Sequence, residues 1–435
     1  MKSSVGQFLR SGRLARLYSL GDQGAQGVAN IVATSVLGRW LPADQFGAVG
    51  VAIGIYYVVA GFHRSAVVLP YITEHEPQGG AMAEHRYHSD WWWFNVIAGL
   101  ALASVLLVLA GGLEAVCAWG PQALLRWRWG IMPLLLAAVM TPPLLCAEHV
   151  RRWLYKIGRP DLVALASVGY AAGLVGAAYG LSHIRPDAVA GVMAWAVAGL
   201  FGAMVPLIGL RPMRPVWSAS VACFARHRRF ATWLAMTIVP YMVYSSATVV
   251  VFIGLFDGPL AAAVFTAART LTNPAVSLVS AVDSIDKPRA ARALADEGMA
   301  GLRRSIRGTR WLLLGVTGAY LAGVAWFVGP LLHLAFHDRY AGIEDEVRLL
   351  ALAFFLFCLN QPSETLLIVM RASATMFVTR SVTAALTLAL LIAGSRYGVS
   401  GMAIGLAVAQ GANLLALIVA ERWVSRRPVL KMVTL

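Results

Sequence analysis

The sequence predicts an all-α polytopic membrane protein with about twelve transmembrane helices, and three observations carry that reading. The 435-residue chain is 59% hydrophobic and only 13% charged, with a mean hydropathy of +0.68. Soluble globular chains carry about 25% charged residues. Apolar stretches long enough to cross a hydrocarbon core about 30 Å thick recur along the whole length. The net charge of +15 sits mostly in the connections between those stretches. Basic residues so placed act as topology signals, which points to membrane orientation and away from nucleic acid.

Taken in order, the candidate spans are 17–38, 46–71, 91–112, 129–149, 161–182, 187–210, 231–256, 260–283, 310–336, 347–370, 374–394 and 399–421. The leading MKSSVGQFLRSGRLAR is basic, and the span behind it holds Asp22 and Gln23 with no clear cleavage site, so no cleavable signal is read there. With the N-terminus inside, 27 Lys and Arg fall on the cytoplasmic side and seven outside, while Arg64 and Arg269 lie within spans. Both termini are therefore expected in the cytoplasm. The connection 74–90 is locally acidic through Glu74, Glu76, Glu84 and Asp90. Lys287 to Arg310 reads as a basic cytoplasmic loop.

The two halves echo each other. TSVLGRWLPADQFGAVGVAIGI at 34–55 and VVFIGLFDGPLAAAVFTAARTL at 250–271 each end a span at Gly, turn at an acid (Asp44, Asp257) and re-enter through small residues. A second echo pairs 184–194 with 395–405, again offset by about half the chain. The expected organisation is a six-helix bundle at 1–210, a cytoplasmic linker at 211–230, and a second six-helix bundle with a short basic tail at 231–435. Both halves start inside, so the repeat is parallel, about an axis along the membrane normal.

Polar stripes at helical spacing mark spans one, two, seven and eight. They are Gln23, Gln26, Asn30 and Thr34 beside Asp22; Tyr57, Gly61 and Arg64; Thr237, Tyr241, Tyr244 and Thr248; and Thr266, Arg269, Asn273, Ser277, Ser280 and Ser284. Such stripes either hold helices together, at about 0.6 kcal/mol per interhelical hydrogen bond, or line a cavity shared by the halves. Arg269 lies roughly 14 Å along the helix from Leu260, near the bilayer midplane. An arginine there costs about 2.5–3.5 kcal/mol to insert, which favours a functional group. Guanidinium stays charged and binds phosphate bidentately, so a cavity holding Arg269 and Arg64 prefers an anionic head group to a cationic drug.

Other readings compete at each position. Arg64 also fits a side chain snorkelling to the inner boundary. Arg269 also fits a buried pair with Asp22 or Glu364, and Asp22 a carboxylate favoured by its helix N-terminus. Glu364 shares a face with Asn360 and Arg371, as an ion-coupling group or as a partner of Arg371. Pro142-Pro143 is expected to disrupt the fourth span, and Pro274 and Pro362 to kink or break theirs. Glu148, Arg151, Arg152 and Tyr155 are expected at the inner surface, against anionic membrane lipids or an entering head group.

Soluble-enzyme signatures are missing. There is no GxxxxGK[ST], GxSxG or HExxH, and Cys117, Cys146, Cys223 and Cys358 are too scattered for a metal or disulfide framework. No cofactor is expected beyond coupling to H⁺ or Na⁺ through Asp22 or Glu364. GxxxG pairs at Gly50–Gly54, Gly169–Gly173, Gly176–Gly180 and Gly401–Gly405 read as close helix contacts.

Several segments resemble one transporter family: GVANIVATSVLGRWLPADQFGAVGVAIGI, LLCAEHVRRWLYKIGRPDLVA, FTAARTLTNPAVSLVSAVDSIDKPRAARAL, WFVGPLLHLAFHDRYAG and YGVSGMAIGLAVAQGANLL. Together they are similar to the Wzx-type polysaccharide flippases of the multidrug/oligosaccharidyl-lipid/polysaccharide transporter superfamily. The resemblance implies two six-helix bundles facing each other in a V-shaped central cavity lined by spans 1, 2, 7 and 8. It implies a flippase that passes an undecaprenyl-diphosphate-linked saccharide across the bacterial inner membrane by alternating access, for surface or exopolysaccharide (including lipopolysaccharide) synthesis. The lipid-linked oligosaccharide would be its substrate, with polysaccharide polymerase and export machinery as further partners. The family's diphosphate-binding arginine falls on Arg269 and, less closely, Arg64. With Asn273, Thr266, Gln26, Asn30, Tyr241 and Tyr244 these make up the expected substrate cavity. Asp22 and Glu364 keep open a cation-coupled multidrug or small-molecule antiporter of the same fold. A membrane-embedded glycan polymerase or ligase is the remaining alternative, disfavoured by short, motif-free outer loops.

Overall fold

The computed structural model describes residues 12–74 and 80–425; the side chains of Gln23, Thr237, Ser280 and Ser284 also lie outside the described set. Among the described residues the chain is helical, without strands. The first unit's helices are α1 (Gly12–Trp40), α2 (Ala43–His63, continued by a π-turn at Arg64–Val68 and by Leu69–Thr73), α3 (Gly80–Trp119), α4 (Ile131–Lys156), α5 (Pro160–Ile184), α6 (Ala188–Leu210) and α7 (Trp217–Val243). Then follow α8 (Ser246–Trp326), α9 (Val328–Phe336), α10 (Glu344–Val369), α11 (Ser373–Gly394) and α12 (Gly398–Val424).

By length and composition, eight helical segments among the described residues can cross a membrane, or nine if the pair Asp286–Trp326 and Val328–Tyr340, bent by 79°, is one span. That is fewer than the expected twelve, for physical reasons. Ser373–Val424 counts once although it holds both α11 and α12. The polar positions Asp22, Gln26 and Asn30 dilute α1, and α7 is cut off at Val243 while still close behind Arg226 and Arg228. Apolar side chains such as Leu100, Val105 and Val108 on α3 or Leu165 and Val168 on α5 stand exposed, as lipid-facing residues do.

The largest departures from the expected boundaries lie beyond residue 217. The seventh span is already helical at Trp217, breaks at Tyr244 and Ser245, and resumes at Ser246. The turn expected around Asp257 is made inside α8 by Gly258, whose φ is +86°. A left-handed residue cannot continue a right-handed helix, and glycine adopts that conformation without penalty. Gly298, at φ +65°, breaks the same helix again. Lys287 to Arg310 is therefore not a loop but a helical hairpin, with Arg304 Nη1 donating to Glu297 Oε2 at 3.1 Å and Thr309 Oγ1 donating to Asp286. Gly258→Ala is expected to destabilise the protein by about 1–2 kcal/mol, the cost of a left-handed L-residue. A melting temperature in detergent equal to the parent's would contradict this.

None of Pro142, Pro143, Pro274 and Pro362 ends its helix. α4 runs unbroken through Pro142 and Pro143. Neighbouring glycines let other helices close on this segment: a Cβ at Gly199 would lie 2.7 Å from the Pro143 carbonyl carbon, and one at Gly99 3.5 Å from Pro142 Cα. Pro362 likewise sits inside α10. Of the GxxxG pairs, Gly169 and Gly173 pack against Phe201 of α6, and Gly401 and Gly405 against Gly394 and Leu390 of α11. Nothing lies within 4 Å of an added Cβ at Gly176 or Gly180, so that pair is not a close contact.

The chain forms two compact units, one reaching Met242 and including Ser246–Ala263, the other including Val243–Ser245 and Val264 onward. In the first, α3 and α6 pack on α4, α5 on α6, and α1 on α5; in the second, α10 and α11 pack on α12. The pairings α4–α6 and α5–α6 thus recur as α10–α12 and α11–α12, the pattern a duplication produces. One end of the first unit is built around buried Trp91, Trp153, Tyr71 and Tyr87. In the 211–230 stretch only 211–216 lies outside helix. It is pinned to α3 by Trp93 Nε1 donating to Met213 O (2.8 Å) and Arg86 Nη1 donating to Arg214 O (3.0 Å). Nearby, Glu74 accepts from Tyr87 Oη (3.0 Å) and Trp91 Nε1 (3.1 Å) and lies 2.9 Å from His227 Nε2. Burial alone raises a carboxyl's pKa, but these donors outweigh it and hold Glu74 below its ordinary value. Its contribution to stability is thus lost as pH falls through that lowered value.

Candidate functional site

In the first unit the charged groups inside the helices are knotted together rather than spread along one stripe. Asp22, on the first helix and 3% exposed, accepts from Arg151 Nη2, from Ser167 Oγ and, at 3.0 Å, from Tyr155 Oη. Arg151 Nη1 also donates to Gln26 Oε1 at 2.9 Å. One turn along α1, Asn30 Oδ1 accepts from Tyr170 Oη at 3.2 Å. Asp22 is the eleventh residue of its helix, well past the first turn where a helix dipole acts, so the dipole reading falls.

The second knot is centred on Glu148. Arg64 Nε donates to Glu148 Oε1 at 2.8 Å, and Arg152 Nη2 lies 3.6 Å from the same oxygen. Arg64 opens the π-turn of α2 and its side chain is 52% exposed, so it is ion-paired yet still accessible. Tyr56 and Tyr241 act electrostatically on it. Glu148, Arg151 and Arg152 occupy positions i, i+3 and i+4 of α4, so one helical face serves both knots. Glu148, Arg151 and Tyr155, expected at the inner surface against anionic lipids or an entering head group, bond side chains of α1 and α2, and Arg152 lies beside Glu148 of its own helix. Beside them His149 is fully buried, its ring 4.8 Å from that of Tyr71, which shares a 2.9 Å hydrogen bond with His88 Nδ1.

In the second unit Glu364, 5% exposed, pairs with Arg380 Nη2 at 2.6 Å. Its expected partner Arg371 lies past the end of α10 in a left-handed conformation (φ 54°), off the face that carries Glu364. Neighbouring buried pairs are Asn360 with Gln410 (3.0 Å) and Thr383 with Asn413 (2.8 Å). Arg310 donates to Glu421 at 2.7 Å, and Ser363 Oγ donates to the same oxygen. On α8, Thr266 is buried, and Arg269 and Asn273 are half-buried. Tyr244 is buried at the break after α7, and Tyr241 is half-buried.

The expected site residues therefore divide by unit. Asp22, Gln26, Asn30, Arg64 and Tyr241 belong to the first, and Tyr244, Thr266, Arg269, Asn273 and Glu364 to the second. The structure joins Asp22 and Gln26 through Arg151, and ties both proposed coupling carboxylates to arginines other than Arg269. Sequence reasoning missed Arg380, which it counted among the loop charges. A usable signal was present: Thr379, Thr383 and Thr387 repeat every fourth residue on α11, marking a polar face beside it.

No protein-family model matches the chain, and no curated protein does. Solved structures do match in fold. One is an inward-facing multidrug resistance MATE family transporter of the MOP superfamily, with TM-score 0.71 and 12% identity over 94% of this chain and 96% of that one. Another is the lipid II flippase MurJ in an inward closed conformation, with TM-score 0.67 and 11% identity over 93% of this chain and 87% of that one. A MATE in complex with MaD3S aligns at TM-score 0.60 and 14% identity over the full length of both chains. The all-α fold of the described residues is thus the one seen in these solved transporter and flippase structures.

Proposed function

We propose that the protein is a flippase that moves an undecaprenyl-diphosphate-linked saccharide across the bacterial inner membrane by alternating access, with both termini in the cytoplasm. The observation that carries this reading is an arginine, Arg269, midway along an apolar helix of a fold shared with a lipid II flippase. Holding a guanidinium at that depth is costly unless it meets an anion. Arg64 adds a second cation. It bonds Glu148 through Nε, which leaves its two Nη groups to fork onto a phosphate. On the helix that carries Arg269, Thr266 and Asn273 supply neutral hydrogen bonds for sugar hydroxyls. The prenyl tail stays in lipid while the head group crosses. Delivery to a polysaccharide polymerase and export machinery would follow on the outer face.

The test is reconstitution. Purified protein in liposomes is expected to accelerate the passage of an undecaprenyl-diphosphate saccharide from the inner to the outer leaflet. It is also expected to restore surface polysaccharide to a strain lacking its flippase. Normal insertion with neither activity would overturn the reading.

The MATE likeness favours a second reading, a cation-coupled small-molecule antiporter. Against it, Asp22 and Glu364, the carboxylates such a mechanism would use, are each held by an arginine. An antiporter predicts that Asp22→Asn or Glu364→Gln stops drug efflux while Arg269→Ala leaves it intact.

A further inference from the structure

Where the limb of α8 after Gly298 meets the end of α12, a cavity of about 390 Å³ is lined by Arg303, Arg307, Arg310, Arg422, Glu421 and Ile306 among others. Its floor is apolar: Ile306 belongs to a buried cluster with Leu302, Leu366, Leu417 and Val424. The walls are cationic. The single carboxylate, Glu421, is occupied by Arg310 and Ser363, both at 2.7 Å. Arg303 donates to the carbonyl oxygen of Ser425 at 3.2 Å. Arg307 and Arg422 have no carboxylate partner among the described residues. Four guanidiniums converging on one concavity with one acid repel each other, and an anion between them relieves that repulsion.

The flanking residues indicate the depth of the cavity. Trp311, directly after Arg310, is 66% exposed, and Trp423, directly after Arg422, is 50% exposed. Exposed tryptophan beside arginine is the composition of the lipid–water interface, where head-group phosphates lie.

We propose that this cavity is a phosphate-ester site that takes the head group of an anionic membrane lipid. It contains neither Arg64 nor Arg269 and rests only on the membrane reading, so its success or failure is independent of the flippase assignment.

The experiment follows lipid binding to the purified full-length protein in detergent. Phosphatidylglycerol, phosphatidylcholine and inorganic phosphate are added separately. Melting temperature and the number of retained lipids, read by native mass spectrometry, are recorded for each. Phosphatidylglycerol is expected to raise the melting temperature and remain bound, and phosphatidylcholine is expected to do neither. Arg307→Gln with Arg422→Gln is expected to weaken phosphatidylglycerol binding about thirtyfold, roughly fivefold for each interfacial arginine. Arg307→Gln alone, at about fivefold, serves if the double variant folds poorly. Stabilisation by inorganic phosphate equal to that by phosphatidylglycerol would overturn the lipid assignment in favour of a soluble phosphate. Equal binding of both lipids, or unchanged binding by the variants, would overturn the site.

Discussion

Arg269→Ala is expected to abolish polysaccharide export while the protein inserts in the membrane at its normal level. The two halves of that result separate a substrate role from a structural one. An arginine midway along a span is costly to insert, by about 2.5–3.5 kcal/mol, and alanine is not. Truncation therefore leaves insertion unharmed or improved. The substrate loses its forked guanidinium contact, and each hydrogen bond to a charged group contributes about 1.5–3 kcal/mol. Two such bonds correspond to a loss of about a hundredfold or more, enough to silence export. Arg269→Lys keeps the charge but not the fork and is expected to fall between the two. The measurement is surface polysaccharide per unit of membrane-inserted protein; undiminished export by the alanine variant sinks the assignment.

Arg151→Met is expected to be the most destabilising single change in the first unit. It strands Asp22, which is 3% exposed, leaving it, among the described residues, the hydroxyls of Tyr155 and Ser167 to solvate a full negative charge. Breaking a buried ion pair from one side costs about 3–5 kcal/mol, whereas replacing both partners is often neutral. The combination Asp22→Asn with Arg151→Met is therefore expected to recover most of the lost melting temperature. A double variant no more stable than Arg151→Met would show that the cost lies in packing of the arginine stem. Gln26, which shares the guanidinium, loses its partner in both variants and does not bias the comparison.

What was readable in advance follows from the range of the interactions involved. Apolar runs and the turn at Asp257–Gly258 depend on neighbours in sequence, and both are present in the fold. The partners of the buried charges depend on tertiary approach. Asp22 on α1 meets Arg151 on α4, with α2 and α3 between them in the chain, and no local spacing announces it. The local rule misled for Glu364, because Arg371 shares its helical face on paper but lies beyond the helix end. The duplication carried more information than was drawn from it. The offset that carries Thr34 onto Val250 also carries Glu148 onto Glu364, and both are buried carboxylates bonded to an arginine. The turn after Gly298 was hidden by its charge, since basic residues suit a solvated helix as well as a loop.

The π-turn at Arg64–Val68 has a genetic corollary. Such a turn holds one residue more than the α-turn it replaces. Loss of a single codon from Ser65 to Val68 would remove that extra residue, and α2 would close into a regular α-helix with its two limbs at nearly the same relative rotation, because the wide turn had already absorbed the residue. The same loss elsewhere in α2 would turn one limb against the other by about 100°. An in-frame deletion of three nucleotides is therefore expected to spare the pairing of Arg64 with Glu148 at this turn and to break it when placed between Ala43 and His63.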